Sequence, residues 1–316
     1  KERDTFLLST HVDPDGDAIS SVLAMGWLLD KLGKKNQMVI QDEIPYKLRF
    51  LAGSTKIQTM RKGASLETEP EVVICLDAPN LSRIGTVSDL LPPGVEVINI
   101  DHHESNGFFG AVNIVDKKAC SSTEIVFNIV EKYTFPLDRD VAEQIYTGIL
   151  IDTGRFRFSN TTPKALSISS KLLLAGARPD YIAEWLFHTN SFETITGLRE
   201  LLNTMQLFLG DQLAVSSFSN TFLTELEGNK METEGFVNFT LSIDTVKVAA
   251  LLRESEPGII RGSLRSKTDA INVNKIAGTF GGGGHARAAG FRCEGSVSDV
   301  TQKLLRKLKE YMYDEH

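Results

Sequence analysis

"HVDPDGDAIS", residues 11–20, sets one histidine and three aspartates within seven positions, directly after the apolar run "TFLLST" (5–10). A short apolar run ending in a cluster of ligating groups reads as a buried strand feeding an acidic loop. "DAISSVLAMGWLLDKLG" (17–33) follows with helical periodicity and stops at Gly33, a natural C-terminal signal. Strand, acidic loop and helix in that order open a βαβ unit, and the next segments repeat the scheme. "NQMVIQ" (36–41) reads as a strand, while "EVVICLDA" (71–78) and "VEVINIDHH" (95–103) are apolar runs that end in Asp77 and in Asp101, His102 and His103. "SSTEIVFNIVEKY" (121–133) opens with a capping-box pattern, and "DVAEQIYTGILIDTG" (140–154) and "TPKALSISSKLLLAG" (162–176) read as helices.

The early strands are apolar throughout rather than alternating, the pattern of a parallel sheet covered on both faces. The expected fold class is α/β, a doubly wound, mainly parallel sheet over residues 1–190. A connecting helix, "SFETITGLRELLNTM" (191–205), leads into a second, smaller α+β domain over 206–316. There the expected strands are "DQLAVSSFS", "FVNFTLSI", "VKVAALLRES" and "GIIRGSLRS", followed by "GGGGH" (281–285) and a basic helix over 296–312. At 316 residues two domains are expected, because a single core becomes awkward near ~250–300 residues.

Net charge is −7 and the pI about 5.5, against the basic face of a general binder of long nucleic acid. No apolar run approaches the ~18 residues of a membrane span, and the opening "KERD" lacks the apolar core of a signal peptide. Cys75, Cys120 and Cys293 are scattered and odd in number, and are expected to be small buried side chains in a reducing compartment. A cytoplasmic location is expected.

In sheets of this class ligands sit beyond the carboxyl ends of the strands. His11, Asp13, Asp15, Asp17, Asp77, Asp101, His102 and His103 collect there, and Asp152 closes a helix. Carboxylates this dense repel one another and resist burial unless a divalent cation neutralises them. Carboxylate and imidazole without thiolate suit Mn²⁺ best, with Mg²⁺, Co²⁺ or Fe²⁺ as alternatives. The ligand count exceeds what one such ion takes, so two divalent metals are the economical reading.

"HVDPDGDA", "CLDA", "DHH" and "YTGILIDTG" together resemble the ordered motifs of the DHH phosphoesterase superfamily, the RecJ-like enzymes. "GSLRS…GTFGGGGHARAAG" resembles its DHH-associated C-terminal domain. Length and layout are most similar to the nanoRNase/pAp-phosphatase group. The resemblance implies that His11 and Asp15 bind a first metal, that Asp17, His102 and Asp152 bind a second, and that Asp77 bridges both. His103 would face the scissile phosphate, and Asp101 would orient an imidazole. The activity implied is hydrolysis of short oligonucleotides of RNA or DNA (nanoRNA), of 3′-phosphoadenosine 5′-phosphate (pAp), or both, by hydroxide attack activated by two metals, with Mn preferred.

The glycine run has a reading of its own. Four glycines let a backbone approach a ligand and offer N–H groups, so Gly282, Gly283 and Gly284 are candidates for substrate contact. His285 adds a flat ring, Arg265 a guanidinium fork matched to phosphate, and Ser266 a hydroxyl. The second domain is expected to measure the substrate. "RFRFSN" (155–160) follows Asp152, and on a strand its two arginines would share one face and its two phenylalanines the other. Competing readings are a cyclic or linear dinucleotide phosphodiesterase and a non-catalytic nucleotide sensor. The sequence is compatible with a homodimer and suggests no membrane partner.

Overall fold

The computed structural model describes residues 3–226, 233, 235–268 and 270–313. The chain divides into two compact units, residues 1–189 and 190–316. The first contains β1 (Thr5–Ser9), α1 (Gly16–Lys31), β2 (Lys35–Ile40), β3 (Gln58–Thr59), β4 (Val72–Leu76), β5 (Glu96–Asp101) and β6 (Val112–Val115). It continues with α2 (Ser122–Val130), α3 (Arg139–Asp152), α4 (Pro163–Leu174) and α5 (Pro179–Ala183).

Its sheet runs β3-β2-β1-β4-β5-β6 with every pairing parallel. Strand order reverses between β1 and β4, which puts the loops after these two strands side by side at the carboxyl edge. Alternate side chains feed two layers. Leu8, Ile74 and Ile100 pack with α1 to α4, while Leu7, Val39 and Val73 pack on the opposite face with Ile84 and Val87. That second face is covered by a kinked 3₁₀ segment, Leu81–Leu90, rather than by long helices. Gly33 ends α1 at φ 70°, and the N–H of Lys34 reaches back to the carbonyl of Leu29, so the stop is the left-handed turn glycine favours.

The second unit holds α6 (Phe192–Asn203), β7 (Gln206–Phe208), β8 (Leu213–Phe218), α7 (Asn220–Glu225) and α8 (Phe236–Leu241). After these come β9 (Val248–Glu256), β10 (Ile259–Ser266), α9 (Val273–Gly278), β11 (Gly283–His285), β12 (Ala288–Glu294) and α10 (Val297–Tyr313). The strand order is β11-β12-β10-β9-β8-β7, antiparallel except for β8 with β9. One face buries Leu264, Phe291 and Ile260 with Ile276, Leu304 and Leu308. The other buries Ala249, Leu251 and Phe218 with Leu201 of α6 and with Phe236 and Val237 of α8.

Two expectations are corrected. "FVNFTLSI" is not a strand: its buried positions, Phe236, Val237 and Thr240, fall one turn apart, and Phe239 is exposed, as on the α8 helix. Short apolar runs carry both periods, and here tertiary packing chose the helical one. "RFRFSN" is not a strand either. Gly154, Arg155 and Phe156 have φ of 56°, 65° and 61°, a left-handed turn in place of alternation.

Gly148 of α3 shows how tightly the first unit closes. A Cβ there would lie 2.1 Å from Thr123 Oγ1 and 3.0 Å from Asp17 Oδ1. Alanine gains about 1 kcal/mol of helix propensity over glycine, but overpacking costs about 1–3 kcal/mol. Thr123 is β-branched and held by Asp17, so it has little room to yield. Gly148→Ala is therefore expected to destabilise by about 1–2 kcal/mol, read from the urea midpoint; an unchanged or raised midpoint would show that α2 and α3 are not in this close approach.

Candidate active site

Asp77 follows β4 and is the centre of the site. Its backbone stands at φ 54°, a left-handed conformation that a non-glycine residue adopts at a cost of about 1–2 kcal/mol. Its N–H donates to the carbonyl of Ile100 at 2.9 Å, tying the turn to β5. The buried carboxylate is surrounded by donors. Oδ1 accepts from Ser122 Oγ at 2.9 Å and lies 3.6 Å from His102 Nε2 and 3.7 Å from His103 Nδ1; Oδ2 lies 3.5 Å from His11 Nε2. Burial alone would raise its pKa, but the hydrogen bond to His11 and the charges of His103, His11 and His102 hold it well below the usual carboxylate range.

The remaining groups sort around this carboxylate. His11, Asp15 and Asp77 each bring one ligand atom within 4.8 Å of the others, and so do Asp17, His102 and Asp152. A third set, Asp77 with His102 and His103, overlaps both. The six residues read as metal ligands from the sequence are thus brought together, in groups whose carboxylate and imidazole chemistry fits a hard-to-borderline divalent ion. Each set offers the mixed carboxylate and imidazole donors that could hold a divalent ion. Asp13 belongs to none of these groups; its N–H donates to Asp42 Oδ2 at 2.9 Å.

The scaffold places each group by local means. Asp15 caps α1, accepting from the N–H of Ala18 at 3.0 Å. Asp17, on the first turn of α1, accepts the N–H groups of Ser122 and Thr123 at 2.6 and 2.9 Å, and also the Thr123 hydroxyl. Those donors are the otherwise unsatisfied N-terminal amides of α2, an end that favours an anion. Ser121 caps the same helix for Glu124, whose carboxylate accepts from the N–H of Cys120. Even so, burial and then the charge of Asp77 push Asp17 up to about 7. Asp152, the last residue of α3, is likewise raised by burial and by Asp17, Asp15 and Asp77. His11 is driven up to about 9: burial opposes its charge, but its hydrogen bond with Asp77 and the charge of Asp15 win.

His103 has a line of support behind it. Its Nδ1–H donates to Asp101 Oδ1 at 2.6 Å; Asp101 Oδ2 accepts from Asn106 Nδ2 at 2.6 Å, which also donates to Asn99 Oδ1 at 2.7 Å. Asn99 in turn donates to the carbonyl of Ala78 at 3.0 Å. The two adjacent imidazoles do not diverge as an extended chain would make them. Both reach toward Asp77, with ring centroids 4.9 Å apart, because the chain leaves β5 at Asp101. Sequence reasoning passed over Ser122, Thr123, Asn99 and Asn106; only the capping signal at "SST" hinted that α2 begins here.

On the second unit, Arg265 pairs with Ala288 across β10 and β12, and His285 pairs with Ala288 across β11 and β12. Directly paired residues point to one face, so the Arg265 and His285 side chains flank a small alanine, their Cα atoms roughly 10 Å apart by strand spacing. Ser266 faces the other way, buried, and its hydroxyl donates to the carbonyl of Thr268 at 2.8 Å. The glycine run serves packing as well. A Cβ on Gly282 would lie 2.1 Å from the Gly290 carbonyl oxygen, and one on Gly284 2.5 Å from that of Ala288. Gly283 has no such crowding and pairs with Gly290.

Comparison with known proteins gives the same two parts. The DHH family N-terminal domain matches residues 5–149, and the DHHA1 domain matches residues 210–314. A Thermus thermophilus protein named bifunctional oligoribonuclease and PAP phosphatase NrnA is 32% identical over 96% of this chain and 89% of its own length. A Bacillus subtilis protein of the same name is 28% identical over 91% and 88%. The crystal structure of an exopolyphosphatase-related protein from Bacteroides fragilis superposes with a TM-score of 0.90 at 29% identity, covering 98% of this chain and 93% of that one. RecJ from Thermus thermophilus with Mn²⁺ shares the fold at a TM-score of 0.52 and 14% identity, over 96% of this chain and 52% of its own.

Metal binding needs neutral imidazole and ionised carboxylate. His11 stays protonated below about 9 and Asp17 below about 7. The apparent affinity for a divalent ion is therefore expected to rise with pH across about 6 to 9, with proton release on binding at pH 7. Calorimetric titrations in buffers of different ionisation enthalpy measure that release directly; no proton release and a flat pH profile would contradict the raised values.

Proposed function

The chain belongs to the DHH family, and on that premise we propose that it is a Mn²⁺-dependent phosphohydrolase acting on short oligonucleotides, on 3′-phosphoadenosine 5′-phosphate, or on both. The observation that carries the reading is the pair of imidazole–carboxylate groups arranged around one buried carboxylate, Asp77. The names and coverage of the Thermus and Bacillus relatives support the substrate class.

In this reading His11 and Asp15 hold one ion, Asp17, His102 and Asp152 hold the other, and Asp77 serves both. A divalent pair, when bound, polarises a phosphoryl group and lowers the pKa of a coordinated water toward neutrality. The chain's own residues do the rest. His103 Nδ1–H donates to Asp101, and against the burial that opposes its charge this hydrogen bond and the charge of Asp77 raise the imidazole's pKa, so the protonated ring has an Nε2–H to donate to a phosphoryl oxygen as charge builds there. Ser122 and the amide groups of α2 hold Asp77 and Asp17 in their ligand orientations. Arg265 and His285 bind nucleotide on the second unit, flanking Ala288, with Gly283 as an uncrowded backbone position beside them. Ser266 supports the end of β10.

A product assay with Mn²⁺ across pAp, short and long RNA, linear and cyclic di-AMP and pyrophosphate tests the substrate class. Preference for cyclic di-AMP or pyrophosphate would overturn it. Asp77→Ala is expected to lose both metal equivalents and all turnover; two retained ions with normal rates would sink the shared-carboxylate assignment. His103→Ala is expected to keep its metals and lose about 10²–10³ in kcat. Loss of one metal equivalent in that variant would mean that His102 and His103 have exchanged roles.

A further inference from the structure

The segment that follows Asp152 is built with more constraint than a loop needs. Gly154, Arg155 and Phe156 are consecutive left-handed residues, at about 1–2 kcal/mol for each of the two that are not glycine. The surroundings hold them there. The N–H of Arg155 donates to the carbonyl of Leu150, those of Arg157 and Phe158 both donate to the carbonyl of Thr153, and that of Phe156 donates to the Thr153 hydroxyl. Asn160 Nδ2 ties the far end back, donating to the carbonyls of Cys120 and Asp152 at 3.0 and 3.1 Å. A Cβ on Gly154 would lie 2.4 Å from the ring of Phe158, so the turn admits no larger residue without moving that ring. Phe156 is anchored edge-on against Tyr146 in the core.

What this turn presents is two guanidinium groups. Arg155 stacks on Phe187, its carbon Cζ 3.7 Å from the ring centroid, and Phe187 lies in the π-helical turn Glu184–His188 that continues α5. Stacking uses the flat face of the guanidinium and leaves its in-plane N–H fork pointed outward. Arg157 lies near enough that its charge, after burial, lowers the pKa of Arg155. Among the described residues neither arginine makes a side-chain hydrogen bond or ion pair, although carboxylates outnumber cations in the chain. Two like charges, held together on a strained and fully tied turn without a carboxylate, form a site for an anion with several acceptor oxygens. Three residues from Asp152 limit the Cα separation to about 10 Å, a span that a nucleotide bridges.

We propose that Arg155 and Arg157 form a phosphate clamp of the first unit, gripping a non-reacting phosphate of the substrate next to the one hydrolysed at the metal cluster. The proposal rests on the functional reading above and adds a binding subsite to it. A forked arginine contact to phosphate is a charge-assisted one, so its loss is expected to cost about 10–100-fold in binding.

The test compares wild type with Arg155→Gln/Arg157→Gln, both full-length and metal-loaded. Binding is measured calorimetrically in a His103→Ala background that slows turnover, with the dinucleotides pApA and ApA as probes. The double variant is expected to bind pApA about 10–100-fold more weakly while its affinity for ApA, which lacks the extra phosphate, changes less than about twofold. Metal content, thermal unfolding and hydrolysis of bis-p-nitrophenyl phosphate, tested without the His103→Ala change, should stay at wild-type levels. Arg155→Lys should restore the charge but only part of the discrimination, which a purely structural role would not produce. Equal weakening for both dinucleotides, or none for either, would overturn the clamp. Turnover is read separately: failure of the wild type to hydrolyse pApA would count against the functional reading and leave the binding result to judge the clamp.

Discussion

Four carboxylates, Asp15, Asp17, Asp77 and Asp152, converge on one largely buried place, with Asp101 behind His103, and their repulsion is the constraint that the first unit is built to meet. Buried carboxylates remain ionised only where positive charge or hydrogen-bond donors face them. Asp77 has three imidazoles and a serine hydroxyl around it and stays ionised; Asp17, despite its three donors, and Asp152 face less positive charge and are pushed up by burial and by their neighbouring carboxylates. Without metal the imidazoles carry the compensating charge. A divalent ion does the same work more strongly, so the arrangement is poised for metal rather than merely tolerant of it.

That constraint explains features which look unrelated one by one. The chain leaves β4 through a left-handed backbone at Asp77, whose carboxylate meets His11, His102 and His103. The N-terminus of α2 faces Asp17 because its amides are the nearest uncommitted donors, and Gly148 lets α3 come close enough to bring Asp152 to the same place. The chain Asn99, Asn106, Asp101 and His103 is entirely polar and sits at the end of an apolar strand, where only a role in holding an imidazole accounts for its burial.

The second unit answers to a different pressure. Its sheet is mainly antiparallel and covered over much of both faces, and its glycine run serves β12 before it serves any ligand. From residue types, "GGGGH" reads as a loop that cradles a nucleotide. The geometry divides that reading: Gly282 and Gly284 are demanded by backbone packing, while Gly283 and His285 remain at the surface with Arg265 on the same face. Ser266, adjacent to Arg265 in sequence, is turned inward by the alternation of the strand.

The sequence by itself determined the order of the parallel strands' elements, the helix stops and caps at Gly33 and Ser121, and which histidines and aspartates the fold gathers into one cluster. These depend on local rules: apolar runs, turn residues, capping chemistry, and acidic groups at strand ends. It did not determine that "FVNFTLSI" is helical, because a short apolar run fits both periods until a sheet face is there to bury it. Nor did it reveal that "RFRFSN" folds into a left-handed turn, or that His102 and His103 reach toward the same carboxylate. Those outcomes, and the partnership of Ser122 and Thr123 with residues about a hundred positions or some forty-five earlier, belong to the tertiary structure alone. A hydrogen bond between distant segments leaves no periodic trace in either one, so only their packing together decides it.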